Sequence, residues 1–565
     1  MSRRRGQAVD RRIRLLLAVL TVAFAATLGR AVWVQAVRAE PLARMAQGQQ
    51  RETVVRTAAR GTIYDRTGSL LAIGERATTV WADPRQITEP RAVARMVARE
   101  LGVDADALAV KLADRSRGFV YVARKADPAR AARVAALRLD GVGFLPEERR
   151  TYPQRSVGAH VLGYAGTDNT GLAGLERALD PVLAGRPGSE TVVRDPFGRV
   201  IDVLARKPER NGRDVYLTLD HTIQAQAEAV LRDTVRTWGA RAASAIVLDP
   251  ENGEILAMAV APGFDANRFG AVPVDRTRNR SVTDVYEPGS TFKLVTVAGV
   301  LSEGLVTPST SFTLPYELHV ADRVIHDSHP RKTERMSVAQ ILSHSSNVGT
   351  VTLAQLLGRN AIARWIERFG FGRRTGIDFP GESRGIVLPP ERWSGSTIGN
   401  VPIGQGIGVT PLQMASAYAA IANGGVLVQP HLVSRVGAGG PVVPKRRRVV
   451  SPGVAATLKT LLRGVVDEGG TGTAAAITGY YVAGKTGTAQ KPEPTGGYSS
   501  TRYVASFVGF VPATKPRLVV LVNVDEPKGS IWGGVVAAPA FQHIARFALQ
   551  YLEVPPDAPL VATPD

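Results

Sequence analysis

At 565 residues with 44% apolar side chains, the chain is long enough for two or three folded units and too apolar to be disordered. It has no cysteine, which excludes disulfides and thiolate metal centres and suits an exported protein. The net charge of +20 raises nucleic acid as a partner, but the basic residues are scattered and form no aromatic-interleaved stripe, so that reading is set aside.

Residues 1–14 are basic, with Arg3, Arg4, Arg5, Arg11, Arg12 and Arg14 against one acid, Asp10. Leu15 to Leu28 carries no charge, and apolar character continues past Arg30 and Trp33 to Val37. At ~1.5 Å per residue, 15–37 can cross a hydrocarbon core of ~30 Å, with Arg30 snorkelling and Trp33 in the interfacial belt. The competing reading is a cleaved signal peptide with Ala23-Phe-Ala25 as its small-residue site. Because the apolar run continues beyond that point, a retained anchor is expected. Its basic flank predicts a cytoplasmic N-terminus, with everything after Val37 outside.

From 38 to 212, short strand-like runs alternate with helical stretches such as Pro90 to Gly102 and Asp127 to Leu139. Turns in this region carry Asp65, Arg66, Arg150 and Glu176, which read as buried ion-pair candidates with a structural role. The pattern changes at Arg213, where a domain over 213–554 is expected. Leu217-Thr-Leu-Asp220 leads into a helix ending near Trp238. Ala243 to Asp249 and Glu254 to Ala261, joined through Asn252-Gly253, form one hairpin; Tyr503 to Val511 and Leu518 to Val524 form another. Val535 to Leu552 closes the domain as a helix, and 555–565 is a tail. Strands at both ends with helices between them predict an antiparallel sheet covered by helices, an α+β architecture.

At the centre lies Tyr286-Glu-Pro-Gly-Ser290-Thr-Phe-Lys293, running into an apolar stretch that suits a buried helix. Residues three apart on a helix have Cβ atoms roughly 5–6 Å apart, so Ser290 and Lys293 can meet. A serine hydroxyl needs a base, and a lysine amine is one only when burial or a second cation keeps it neutral. Downstream stand Ser345-Ser346-Asn347 and Lys485-Thr486-Gly487-Thr488. Gly479 to Thr486 also matches a phosphate-loop pattern. That loop requires a helix next, whereas Pro492, Pro494, Gly496 and Gly497 follow, so nucleotide binding is set aside. His326 and His329 around Asp327 read as a solvated loop cluster and not a metal site, and His344 as packed behind the Ser345 motif. Lys445-Arg-Arg-Arg448 reads as a solvated loop, with wall or lipid contact as a lesser alternative.

Together, in this order, the Ser-x-x-Lys, Ser-x-Asn and Lys-Thr-Gly-Thr motifs resemble those of penicillin-binding proteins and serine β-lactamases. The resemblance spans nearly the whole chain. It is closest to division-type (FtsI-like) class B penicillin-binding proteins, through Arg278-Asn-Arg280, Asn400 to Gln413 and Ala422-Asn-Gly-Gly425. Arg60 to Gly68, Glu147 to Pro153 and Gly171 to Glu176 look like stretches of that family's pedestal (dimerisation-type) domain. The resemblance implies a single anchor, a pedestal over 38–212 and a transpeptidase over 213–554. Ser290 is then the nucleophile, Lys293 its base and Ser345 a proton relay, with Lys485 assisting. Asn347 holds the substrate amide and Lys293, while Lys485, Thr486, Gly487 and Thr488 line the substrate strand. The backbone N–H groups of Ser290 and Thr488 would make the oxyanion hole. The reaction implied cross-links peptidoglycan stem peptides, is blocked by β-lactams and requires no metal or cofactor. The implied partners are an FtsW-like (SEDS-type) glycosyltransferase and other divisome membrane proteins.

An elongation-type transpeptidase is the alternative enzyme. A β-lactamase has no use for the pedestal and anchor, a penicillin-sensing receptor needs a cytoplasmic effector, and a silent scaffold would not need Ser290 or Lys293.

Overall fold

The computed structural model describes residues 2–38, 40, 51–195, 200–494 and 496–559. These divide into two compact units, one of residues 1–59 and 185–211, the other of 60–184 and 212–565. In the first unit a helix runs from Ser2 to Val32 and continues through a π-turn over Trp33–Val37. It therefore starts well before Leu15: arginine is a good helix former, so the basic flank extends the helix instead of ending it. The apolar stretch Asp10–Ala36 is long enough to cross a membrane and fits a single-pass anchor. Leu15, Leu20 and Phe24 are exposed on it, and an apolar surface all round suits lipid. Thr21 and Thr27 donate their hydroxyls to the carbonyls of Leu17 and Ala23, leaving no unsatisfied hydroxyl there. The unit also holds a three-stranded antiparallel sheet with Gly188–Arg194 between Arg51–Arg56 and Val200–Lys207.

The larger unit contains two principal sheets. In one, Leu70–Ala82 pairs with Ile63–Tyr64, Val120–Ala126 and Val142–Thr151. Ile63–Tyr64 pairs in parallel with Val215–Leu217, which pairs in turn with Val433–Val436. Strands between residues 63 and 151 thus share one sheet with strands far downstream, and residues 60–184 fall in the same unit as 212–565. Next to that sheet, Glu176 is fully buried and binds two arginines, Arg60 at 2.6 Å and Arg150 at 2.6 Å. Asp65, also buried, is 2.6 Å from His221 Nδ1. Arg66, expected to be buried, is exposed and only 3.7 Å from Glu254. Removing one member of a buried ion network leaves uncompensated charge and costs about 3–5 kcal/mol. Glu176→Ala is therefore expected to lower the thermal unfolding midpoint sharply, and an unchanged midpoint would contradict a structural role for the network.

The second sheet is built from β1 (Ala242–Leu248), β2 (Ile255–Ala261), β3 (Ala483–Pro492), β4 (Tyr498–Val511) and β5 (Leu518–Asp525). All neighbours are antiparallel, in the order β2-β1-β5-β4-β3, so β3 is an edge. Alternate residues serve two cores. Ile246, Leu248, Phe510 and Leu521 face one; Ala245, Val247, Phe507 and Val522 join the helices His221–Thr237 and Ala538–Tyr551 in the other. Burial on both faces explains why the β1 and β5 sequences are continuously apolar. In the first core lie α1 (Lys293–Ser302), α2 (Asn347–Leu357) and α3 (Pro411–Ala422). α1 is buried nearly all round, and a Cβ on Gly299 would come within 2.5 Å of Leu357.

Candidate active site

Ser290 lies in a 3-10 turn, Gly289–Phe292, and Lys293 begins α1. Chain tightness around this turn accounts for its glycines. Gly289 has φ +55° and donates its N–H to Gly404 O at 3.0 Å. A Cβ at Gly404 would lie 2.1 Å from Gly289 O, and one at Gly487 would lie 3.0 Å from Pro288 O. Glycine at 487 thus lets the edge strand β3 lie directly against the turn that carries the serine. A Cβ on Gly289 would sit 2.9 Å from Thr488 O, so the Thr488 carbonyl faces that turn. In an extended strand the N–H and C=O of one residue point to the same side, so the Thr488 N–H faces it too. Behind the turn, Tyr418 of α3 donates its buried hydroxyl to Thr291 O at 2.9 Å.

Lys293 is fully buried, and its Nζ donates to Ser345 O at 2.6 Å, Asn347 Oδ1 at 2.7 Å and Ser345 Oγ at 3.2 Å. Burial pulls its pKa down to about 7, while the charge of Asp327 pulls the other way. Lys485, on β3, is also fully buried; burial first, and then the charge of Lys293, hold its pKa far below the ordinary lysine range. Its Nζ lies 3.2 Å from Thr486 Oγ1 and 3.3 Å from Thr486 O. The dominant cause at Lys293 is thus its burial. The helical spacing brought Ser290 and Lys293 onto one turn, but among the described residues the lysine amine bonds to the Ser345 motif and not to the Ser290 hydroxyl.

The Ser345 motif is held by Asp327, whose role the sequence did not disclose. Ser345 adopts φ +60°, a conformation an L-residue takes only under constraint. Ser346 caps α2, accepting from Gly349 N at 2.9 Å and donating to the Asp327 carboxylate at 3.1 Å. Asp327 also accepts from the N–H groups of Asn347 at 2.5 Å and Val348 at 3.1 Å, a carboxylate at the positive end of a helix. Arg331 closes the site with Nη2 at 2.6 Å and Nε at 2.8 Å. Asn347 Nδ2 donates to His326 O at 3.0 Å, which orients the amide so that its oxygen meets Lys293.

In the His326–His329 segment both histidines are exposed, as expected, with His329 stacked on Trp532; the departure is Asp327, which is buried between them. His344 is exposed and not packed behind the motif, because the positive φ of Ser345 turns the chain there. Two further residues meet β3 that no motif announced. Thr471 Oγ1 is 3.0 Å from Thr486 Oγ1, and Gly533 N donates to Thr488 Oγ1 at 3.1 Å.

The arrangement places a serine on a tight turn, a buried amine one helical turn on, and a strand edge presenting backbone and hydroxyl groups. Residues 243–546 match the penicillin-binding protein transpeptidase domain, and residues 55–217 the penicillin-binding protein dimerisation domain. The chain is 34% identical over 558 residues to the probable peptidoglycan D,D-transpeptidase PenA of Neisseria meningitidis, covering 98% of this chain and 94% of that protein. It is 33% identical over 557 residues to the peptidoglycan D,D-transpeptidase FtsI of Escherichia coli, covering 97% and 93%. The crystal structure of penicillin-binding protein 3 from Mycobacterium tuberculosis, complexed with aztreonam, superposes with a TM-score of 0.71 at 31% identity, over 91% of this chain and 100% of that one. With its two matched domains, the chain belongs to the class B penicillin-binding proteins and is a peptidoglycan D,D-transpeptidase.

Proposed function

We propose that the enzyme works through an acyl-enzyme on Ser290 and cross-links stem peptides during septal wall synthesis. The observation that carries this reading is the buried Lys293, with a pKa near 7, hydrogen-bonded to Ser345 and Asn347 one turn from Ser290. A neutral amine keeps two hydrogens for the shorter contacts, to Ser345 O and Asn347 Oδ1, and a lone pair free to take a hydroxyl proton. Ser290 Oγ attacks the carbonyl between the terminal D-alanines as Lys293 removes its proton. The oxyanion is met by the N–H groups of Ser290 and Thr488, each donor contributing about 3–4 kcal/mol in comparable sites. The peptide C–N bond breaks, the proton held on Lys293 is relayed through the Ser345 hydroxyl to the departing amine, and D-alanine leaves. An amine of a second stem peptide then attacks the ester and regenerates Ser290. Arrival of the substrate carboxylate favours the protonated form of Lys485, against the burial that disfavours it, with the Thr486 hydroxyl beside it and Thr488 on the same strand.

The anchor helix, with a cytoplasmic basic end, holds the catalytic unit outside the membrane. Gly29, Arg30 and Gln35 are more than a tether needs: small residues allow close helix packing, and arginine at membrane depth faces a protein or the interface. An FtsW-like polymerase of the division machinery is the partner this helix suits. Replacing 15–37 by an all-leucine helix with the basic flank kept is expected to abolish co-purification with that polymerase and to lower its glycan output, while a fluorescent fusion of the native chain collects at mid-cell. Unchanged co-purification and output would reduce the helix to a tether, and lateral-wall localisation would favour elongation.

A further inference from the structure

The sequence run Lys445-Arg-Arg-Arg448 is not a loop throughout. Arg446–Arg448 forms a strand paired with Val426–Val428, with Val428 opposite Arg446 and Leu427 opposite Arg447. Pairing fixes these side chains beside a cavity of about 700 Å³, within the size range of pockets for small organic ligands. Its wall carries Arg364 and Arg368 from the helix Arg359–Arg368, and Arg373 and Arg374 from the turn that follows. Lys445, Arg446 and Arg447 complete the ring. Among the described residues Glu367 is the one carboxylate lining the cavity, and Arg373 already pairs with it. Arg368 donates to Val449 O and lies over the Trp365 ring, and Arg447 donates to Arg368 O, but these neutral partners leave the like charges uncompensated, which is unfavourable unless an anion balances them. Burial, and then the guanidiniums of Arg373 and Arg368, hold the pKa of Arg447 below its ordinary value.

A second observation is independent of charge. Ser416, on α3, lines the cavity at 4% exposure, and its hydroxyl has no hydrogen-bond partner. A buried hydroxyl left unmatched is uncommon in a folded protein and marks a place where a ligand or water completes the bonding. Buried Phe369 and Val428 lie beside it, so the cavity has a closed floor under an exposed cationic rim. Guanidinium groups bind oxyanions through paired N–H donors, and six of the seven cations here are arginines. The number and spread of charges exceed what one planar carboxylate can satisfy.

We propose that this cavity binds an anion bearing two linked phosphate groups, with Ser416 and the arginine rim as its ligands. The shared chemistry is the diphosphate, whether soluble or carried as the head of a lipid. The test is calorimetric titration of inorganic pyrophosphate into the detergent-solubilised full-length protein at low ionic strength. One site per chain is expected, at least tenfold tighter for pyrophosphate than for inorganic monophosphate. Combined Arg364→Gln, Arg374→Gln and Arg446→Gln substitutions should weaken pyrophosphate binding at least tenfold and leave fluorescent penicillin labelling unchanged. Ser416→Ala, which deletes one hydroxyl, should weaken it several-fold and serves if the triple variant folds poorly. Arg91→Gln, Arg95→Gln and Arg99→Gln remove the same charge from an exposed helix face elsewhere and should leave binding intact. Geranyl diphosphate as competitor separates the sources: displacement at least as tight as by pyrophosphate assigns a lipid-borne group, weaker displacement a soluble one. No binding by the native chain, or equal loss in both triple variants, overturns the proposal.

Discussion

Lys293→Arg should lower the rate of acylation by a labelled penicillin by about a thousandfold. Arginine keeps the positive charge and much of the length but cannot surrender a proton at any working pH. A general base contributes typically 10²–10⁴-fold, so a loss in that range identifies the amine as the proton acceptor. The pH profile of the native enzyme supplies the companion measurement. Lys293 acts when neutral, and burial holds its pKa at about 7. Acylation should therefore level off above about pH 8 and fall about tenfold for each pH unit well below 7, as the amine becomes protonated. A flat profile between pH 5 and 8, or near-native acylation by the arginine variant, would leave Lys293 as an electrostatic support only.

Asp327→Asn should separate positioning from basicity. The carboxylate holds Ser346, the first N–H groups of α2 and Arg331 together, and Lys293 bonds to Ser345 and Asn347 at that helix start. Breaking a largely buried pair costs about 3–5 kcal/mol, less where an amide oxygen still accepts one of the bonds. Two effects are expected together. The unfolding midpoint and the plateau rate of acylation fall, since Ser345 and Asn347 lose their anchor. The acid limb of the pH profile moves to lower pH, because the negative charge that raises the Lys293 pKa is gone. A limb that stays in place while stability drops would show that Asp327 does not act on Lys293 electrostatically.

These two residues also mark where the sequence was legible. The position of Lys293 was readable, three residues after Ser290 on a turn opening an apolar run, whereas its bonds to Ser345 and Asn347, 52 to 54 residues away, were not local. The β1–β2 hairpin was readable for a similar reason, through Asn252-Gly253, and the proline and glycine residues after Lys485 to Thr488 excluded a phosphate loop in favour of a strand. Asp327 was not, because its bonds to Ser346, Asn347 and Val348 reach some twenty residues along the chain. No pattern in its neighbourhood separates a capping carboxylate from an acid between two histidines. Thr471 and Gly533 escaped similarly, since both meet β3 only through tertiary packing. Arg446–Arg448 is exposed as expected but is a strand and not a loop, because pairing with Val426–Val428 overrides a charge-rich composition. The anchor helix began earlier than its hydropathy suggested, as hydropathy marks the lipid-facing part and not the end of the backbone ladder.

The most direct test of the account is intact-protein mass spectrometry after exposure to a penicillin. The native chain should gain the mass of one opened β-lactam, localised by peptide mapping to Ser290. Ser290→Ala should gain none while keeping the native unfolding midpoint. An adduct that persists on the alanine variant, or maps to Ser345 in the native chain, would contradict the assignment of Ser290 as the nucleophile.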